Sequence, residues 1–81
     1  MSFYPEYSLE VYCNMQGKWI PNASYPAGNE PHAYDRLRFG FERLIRSAEG
    51  ITVPLGYRIM VRGNTVLDVW ENDALKAQLT E

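Results

Sequence analysis

The chain predicts an α+β fold: a four-stranded antiparallel sheet in ββαββ order, with one helix packed on one face. Three observations predict it. Apolar and polar residues alternate in two pairs of segments, apolar residues recur at helical spacing between the pairs, and glycines lie where each pair would turn. The chain has 81 residues, the length of one domain, so we expect a single domain over residues 1–81.

A first hairpin is predicted near the N-terminus. Residues 7–15 alternate between apolar and polar side chains, as a half-buried strand does. Gly17 supplies the turn, because glycine tolerates positive φ. Residues 18–22 form the returning strand, and Pro21 places it at an edge of the sheet because proline cannot donate a backbone hydrogen bond.

One amphipathic helix is predicted between Pro31 and Gly50. Its apolar stripe consists of Tyr34, Leu37, Phe41, Leu44, Ile45 and Ala48. Asn29 is the expected N-cap, and Gly50 is expected to end the helix. Gly40 inside the helix costs up to about 1 kcal/mol relative to alanine, which indicates a close approach of the helix to the sheet or to a partner.

A second hairpin is predicted from the alternating residues 57–62 and 65–70. Its loop length decides which side chains face each other. A three-residue loop pairs Ile59 with Leu67, whereas a two-residue loop sets Ile59 against Asp68, an apolar side chain against an acid. We therefore expect the three-residue loop.

A short C-terminal helix is predicted after this hairpin, with Asn72 or Asp73 as its cap. A helix of this length is marginal unless it docks. The core is predicted between the apolar face of the sheet and the long helix. Its predicted members are Leu9, Val11, Cys13, Ile59, Val61, Leu67 and Val69 from the strands, and Leu37, Phe41, Leu44 and Ile45 from the helix.

Reactive side chains are few. Cys13 and His32 are the single cysteine and the single histidine. A nucleophilic pair would need an exposed thiol, but Cys13 is predicted on the apolar face of its strand. No zinc-site, phosphate-loop or dinucleotide-binding motif occurs in the sequence. We therefore expect no catalytic residue, no metal, no cofactor and no enzymatic activity.

Charge and cysteine content bound the partners and the compartment. The net charge of −2 provides no global basic field that would attract nucleic acid. A lone cysteine cannot form an intrachain disulfide, and the sequence shows neither a signal peptide nor an apolar stretch of membrane-spanning length. We therefore expect a small soluble cytoplasmic domain that does not bind membranes.

The helix face opposite the apolar stripe is the first candidate partner-binding surface. Phe39 falls roughly 140° from Tyr34, outside the stripe and among arginines. An ordinary solvated face would explain the charges through ion pairs such as Glu42 with Arg46, but not the aromatic. Exposed aromatics flanked by arginine are typical of protein–protein hot spots. The predicted members are Arg36, Phe39, Arg43 and Arg46.

The sheet face away from the helix is the second candidate surface. Its predicted members are Tyr12, Trp19, Arg58, Arg62 and Trp70. Such a mixture is typical of protein interfaces and also of single-stranded nucleic-acid platforms. Alternatively, Trp70 folds over a sheet edge and the C-terminal helix covers the rest. A homodimeric subunit that pairs through a sheet edge is a further hypothesis.

The architecture resembles small phage- or mobile-element-encoded ββαββ proteins of the anti-CRISPR type. The matching segments are residues 7–12 with 17–19, where Trp19 lies on the second strand, then residues 35–45, and then residues 57–61 with 66–69. The resemblance is one of element order and transfers no binding residue. It implies a non-enzymatic inhibitor that blocks a host defence (CRISPR–Cas) complex by steric occlusion in the host cytoplasm. The small net charge favours blocking a protein surface over imitating nucleic acid.

Overall fold

The computed structural model describes residues 6–79, so the two ends of the predicted domain lie outside the described residues. Its elements are β1 (Tyr7–Cys13), β2 (Lys18–Pro21), α1 (Ala33–Ser47), β3 (Gly56–Val61), β4 (Thr65–Glu71) and α2 (Asp73–Leu79). The strands form one antiparallel sheet in the order β2-β1-β3-β4. The predicted α+β fold is therefore confirmed, and β2 and β4 are the edges of the sheet.

The core lies between α1 and one face of the sheet, which we call the helix-covered face. Leu9 of β1 and Ile59 of β3 are opposite each other in register, and both are buried against Leu37 and Phe41 of α1. Partly buried side chains surround this cluster. They are Tyr7, Tyr25, Tyr34, Leu44, Ile45, Tyr57 and Trp70. Burial of these apolar surfaces is the main force that holds α1 on the sheet.

The β3–β4 hairpin departs from the predicted register. The predicted three-residue loop is present, because Val61 pairs with Thr65. Beyond the loop the register shifts by one residue at a bulge, so Ile59 lies opposite Asp68 and not opposite Leu67. The prediction that apolar side chains would face each other at this point is wrong.

The partners that α1 supplies to Asp68 explain this register. The Tyr34 hydroxyl donates a hydrogen bond to Oδ2 of Asp68 at 2.5 Å, and Nη1 of Arg38 donates to Oδ1. A carboxylate among apolar side chains is costly when it has no partner, and here it has two.

Leu67 and Val69 are 44% and 53% exposed, so the prediction that they belong to the core is wrong.

The start of α1 also differs from the prediction. His32 is the N-cap, and not Asn29. Gly28 forms an isolated antiparallel bridge with Tyr7, so the chain next to Asn29 is paired with β1 and the helix begins only at Ala33. At the other end Gly50 has a φ of +84°, in agreement with its predicted role as a helix stop.

Gly40 lies where the loop between β2 and α1 crosses the helix. A Cβ atom at Gly40 would lie 2.3 Å from Cε1 of the Tyr25 ring, so only glycine leaves room for this contact. A close approach is present at Gly40, but the prediction that the sheet or a partner makes it is wrong, because the approaching group is a loop tyrosine. Tyr25 in turn packs against the core cluster, so Gly40 allows the loop to cover one side of the core.

The predicted C-terminal helix is present and Asn72 is its cap, since Oδ1 of Asn72 accepts a hydrogen bond from the Leu75 backbone N–H at 2.9 Å. The Asn72 amide also donates to the Val53 carbonyl at 2.7 Å, which ties the loop before β3 to the start of α2. Leu75 is fully buried and packs on Gly56: a Cβ atom added to Gly56 would lie 2.7 Å from Cδ2 of Leu75. This docking stabilises a helix that would be marginal in isolation.

Candidate functional site

Phe39 is the centre of the exposed face of α1. At about 100° per residue it lies roughly 160° around the helix from both Leu37 and Phe41, which are buried. The Phe39 side chain is therefore 65% exposed. The guanidinium carbon of Arg43, one turn further along, lies 5.8 Å from the centroid of the Phe39 ring. This cation–π contact orients both side chains on the surface.

Arg46 shares this face with Phe39 and Arg43. No described residue, within residues 6–79, forms an ion pair with Arg43 or Arg46. The two guanidinium groups therefore present positive charge to solvent beside an exposed aromatic ring. We call Phe39, Arg43 and Arg46 the α1 patch.

Arg36, the fourth predicted member of this face, has a structural contact instead. Its Nη2 lies 3.1 Å from Oε1 of Glu30, and its Nη1 donates to the Pro26 carbonyl at 3.1 Å. The pKa of Glu30 is lowered by a hydrogen bond from its own backbone N–H and by the contact with Arg36. Arg36 therefore ties the β2–α1 loop to α1, and its charge is compensated within the fold.

A polar cluster fixes the orientation of α1 on the sheet and hence the direction of the α1 patch. Arg38 binds Asp68 of β4 and also donates from Nε to Oε1 of Glu42 at 3.1 Å. Tyr34 donates to the other oxygen of Asp68. Two turns of the helix are thereby joined to one carboxylate on an edge strand, which restrains rotation of α1 about its axis.

The Tyr34 hydrogen bond should be visible in the pH dependence of stability. The bond to Asp68, together with burial, raises the pKa of Tyr34 above its ordinary value of 10.0. The folded state thus holds this proton more tightly than the unfolded state, so its contribution is complete below about pH 10 and is lost as the pH rises through the folded-state pKa. We expect Tyr34→Phe to lower the free energy of unfolding at pH 7 by about 1 kcal/mol and to flatten its decline above pH 10.

Tyr57→Phe is the matched control, because burial alone raises the pKa of Tyr57. It should flatten the alkaline decline while leaving the free energy of unfolding at pH 7 nearly unchanged. Urea unfolding of both variants between pH 7 and pH 11 makes the comparison. Equal stability of the Tyr34→Phe variant and the wild type at pH 7 would contradict a stabilising bond to Asp68.

The second predicted surface, on the other face of the sheet, is engaged in internal contacts. Tyr12 is only 6% exposed, its hydroxyl accepts a hydrogen bond from Gln78 of α2 at 2.9 Å, and its ring meets Trp19 edge-on at 5.6 Å. The Arg58 guanidinium lies 4.4 Å from the Trp19 ring centroid, and its Nε donates to Glu10 at 2.6 Å. The Arg58 charge is therefore compensated, and α2 covers part of this face, as the alternative hypothesis expected.

Trp70 and Arg62 do not complete this surface. Trp70 lies opposite Tyr57 on the helix-covered face, where the two rings stack with centroids 6.1 Å apart. Its predicted place beside Tyr12 is wrong, because the bulge in β4 exchanges the faces of the residues that follow it. Arg62 lies in the β3–β4 loop with a φ of 58°. The aromatic side chains of the second predicted surface therefore do not form the open row of rings on which single-stranded nucleic acid stacks.

The structure separates Cys13 from His32. Gly28 and Tyr34, which flank His32 in sequence, both contact Tyr7 at the beginning of β1. Cys13 ends the same strand, six residues and about 20 Å further along. Within residues 6–79 no group of three or more histidine, cysteine, aspartate or glutamate side chains is placed to hold a metal ion. None of the helices described is long and apolar enough to cross a membrane.

The fold and the α1 patch define the class of this chain: a small α+β domain with an exposed aromatic–arginine helix face. Sequence periodicity identified this patch, but it missed Glu10 and Gln78, the partners that engage Arg58 and Tyr12, because no local pattern links segments so far apart. No protein-family model, curated protein or solved structure matches the chain.

Proposed function

We propose that this chain is a non-enzymatic protein-binding module whose partner docks on the α1 patch. The observation that carries the proposal is Phe39, a large apolar ring held 65% exposed on a packed helix beneath the guanidinium of Arg43. An aromatic ring that becomes buried on binding, with neighbouring arginine, is typical of the energetically dominant part of an interface. Because α1 is already fixed by the Asp68 cluster, binding would cost little conformational entropy.

The chemistry of the α1 patch favours a partner surface with an apolar pocket bordered by carboxylates. The Phe39 ring would fill the pocket. Arg43 and Arg46 would then lose water on binding, and opposite charge on the partner would offset that cost. Since the two cations also steer association, we expect the association rate to fall as salt is added.

The ββαββ resemblance extends the proposal to a phage-type inhibitor of a host CRISPR–Cas complex that acts in the host cytoplasm by steric occlusion. The domain measures 44 × 24 × 18 Å. A standard interface buries roughly 800 Å² on each partner, which the broad side of this domain is large enough to cover. Occlusion of that kind needs only a stable contact at the α1 patch and a rigid body behind it.

Affinity capture with matched double variants tests the binding proposal. Phe39→Ala with Arg43→Glu removes the exposed ring and reverses one charge on the α1 patch. Val53→Ala with Lys76→Glu is the control variant: it also truncates one exposed apolar side chain and reverses one cation, since Val53 is 59% exposed and Lys76 is exposed on α2. We expect partners captured by the wild type to be retained by the control variant and lost by the α1 patch variant, with affinity reduced about 30-fold or more.

Interference assays test the inhibitor proposal. Each protein is expressed in cells that carry one of a panel of active CRISPR–Cas systems, and phage plating is measured. The wild type and the control variant should restore plating against one system, and the α1 patch variant should not. Restoration by all three proteins would exclude the α1 patch as the contact, and restoration by none would exclude the inhibitor function for the systems in the panel.

A further inference from the structure

The β4 edge carries apolar side chains exposed to solvent. Val66, Leu67 and Val69 are 46%, 44% and 53% exposed, and they lie in one seven-residue strand at the margin of the sheet. The sequence of β4, residues 65–71, contains no lysine, arginine or proline. An exposed apolar edge of this length is a template for pairing with another strand.

The opposite edge of the sheet is protected. β2 has only four residues, it begins with exposed Lys18, and it ends at Pro21, which cannot donate a backbone hydrogen bond. Short length, lysine and proline are three of the usual devices that prevent strands from pairing edge to edge. β4 carries two other devices of this kind, its bulge and the inward-pointing Asp68, but it has neither lysine nor proline and is seven residues long.

We propose that β4 pairs antiparallel with β4 of a second copy of this chain, about a two-fold axis perpendicular to the sheet. The β4 bulge places Val66 and Val69 on the same face, since they lie opposite Met60 and Arg58 in register. In the proposed register Val66 lies opposite Val69 of the second copy, and the two-fold symmetry produces this contact twice. One continuous eight-stranded sheet results.

The charges of β4 are compatible with a second copy. Asp68 and Glu71 are its two charged residues. Asp68 is bound by Arg38 of its own chain, so it adds no uncompensated charge at the joint. In the proposed register Glu71 lies opposite Asn64, so no free like charges face each other. The charges of β4 therefore do not oppose pairing in this register.

The dimer would be bivalent, an inference that rests on the proposed function of the α1 patch. An axis perpendicular to the sheet keeps both copies of α1 on the same side, so the dimer would present two α1 patches in one direction. Binding through two patches raises the overall affinity for a partner that carries two copies of the docking site. Self-association can be measured without any partner, so failure of the dimer and failure of partner binding are distinguishable.

Sedimentation velocity over a dilution series tests the dimer. We expect the wild type to shift from dimer to monomer on dilution, and Val69→Lys to weaken self-association by about tenfold or more, since lysine is a blocking residue at strand edges. Val53→Lys changes an equally exposed valine in a loop and should leave self-association unchanged. A monomer at every wild-type concentration, or a dimer insensitive to Val69→Lys, would overturn the proposal. Circular dichroism confirms that each variant is folded.

Disulfide formation between single-cysteine variants tests the register. In a Cys13→Ser background, Val66→Cys is mixed with Val69→Cys under mild oxidation. Opposed strand residues have Cβ atoms about 5 Å apart, whereas two copies of position 66 would be offset along the strand by about 10 Å. We therefore expect the mixture to yield a cross-linked dimer and Val66→Cys alone to yield little. Equal cross-linking in both samples would overturn the register.

Discussion

Leu9→Ala is expected to lower the free energy of unfolding by about 3–5 kcal/mol. Leu9 is 1% exposed and belongs to the buried cluster with Leu37, Phe41 and Ile59. Truncation removes apolar contacts from two elements at once and leaves a cavity between the sheet and α1. A loss of this size is a large share of the stability of a small domain, so Leu9→Ala should unfold at a much lower urea concentration than the wild type.

Leu67→Ala provides the matched comparison, because both leucines lie on strands and both were predicted to face α1. Leu67 is 44% exposed at the β4 bulge, so its truncation should cost less than about 1 kcal/mol. Both substitutions are best made in the Val69→Lys background, so that self-association does not contribute. A loss for Leu67→Ala as large as that for Leu9→Ala would contradict the observed register of β3 with β4.

Gly40→Ala is expected to destabilise the domain by about 1–3 kcal/mol, although alanine is the better helix former. The new methyl group would lie 2.3 Å from the Tyr25 ring, so the ring and its loop must move. Because Tyr25 packs on the core cluster, that movement uncovers apolar surface. The overpacking penalty should exceed the helix-propensity gain of about 1 kcal/mol.

The sign of this effect should reverse when the ring is absent. In a Tyr25→Ala background the methyl group at position 40 meets no ring, and Gly40→Ala should then stabilise the domain by about 1 kcal/mol. Urea unfolding of the four proteins of this double-mutant cycle measures the coupling between the two sites. If Gly40→Ala destabilises equally in both backgrounds, the requirement for glycine has another origin than the Tyr25 contact.

Much of the fold is predictable from short-range patterns. Alternation over residues 7–15 and 57–62 predicts β1 and β3, which the structure places at Tyr7–Cys13 and Gly56–Val61. Helical spacing predicts α1 and also places Phe39 outside its apolar stripe. These predictions succeed because side-chain direction repeats every two residues in a strand and every 3.6 residues in a helix, whatever the segment packs against.

The predictions that fail depend on distant partners. Asp68 was expected to avoid Ile59, but Tyr34 and Arg38 reach it from a helix that is 30 or more residues earlier in the chain. The resulting bulge turns Leu67 and Val69 outward, away from the predicted core. A pairing argument confined to two strands cannot include a hydrogen-bond donor from a third element.

Of the two candidate surfaces, one was predictable from a local pattern and the other was not. The α1 patch follows from helical periodicity, because residues on the outer side of a surface helix are exposed whatever the sheet register. The sheet surface does not follow from a local pattern. Arg58 contacts Glu10, 48 residues earlier, and also Trp19 of β2, while Tyr12 contacts Gln78, 66 residues later. These internal contacts occupy the aromatic and arginine side chains that were predicted to form a binding face.

The order of amino acids thus specifies the strands, the helices and the outward direction of Phe39, because local backbone geometry dictates each of them. The register of β4, and with it the face that holds Trp70 and the outward direction of Leu67 and Val69, arises only when α1 packs on the sheet. Their physical origin is the same in each case: a polar or bulky group is stable where another segment supplies its partner, and that partner is distant in sequence.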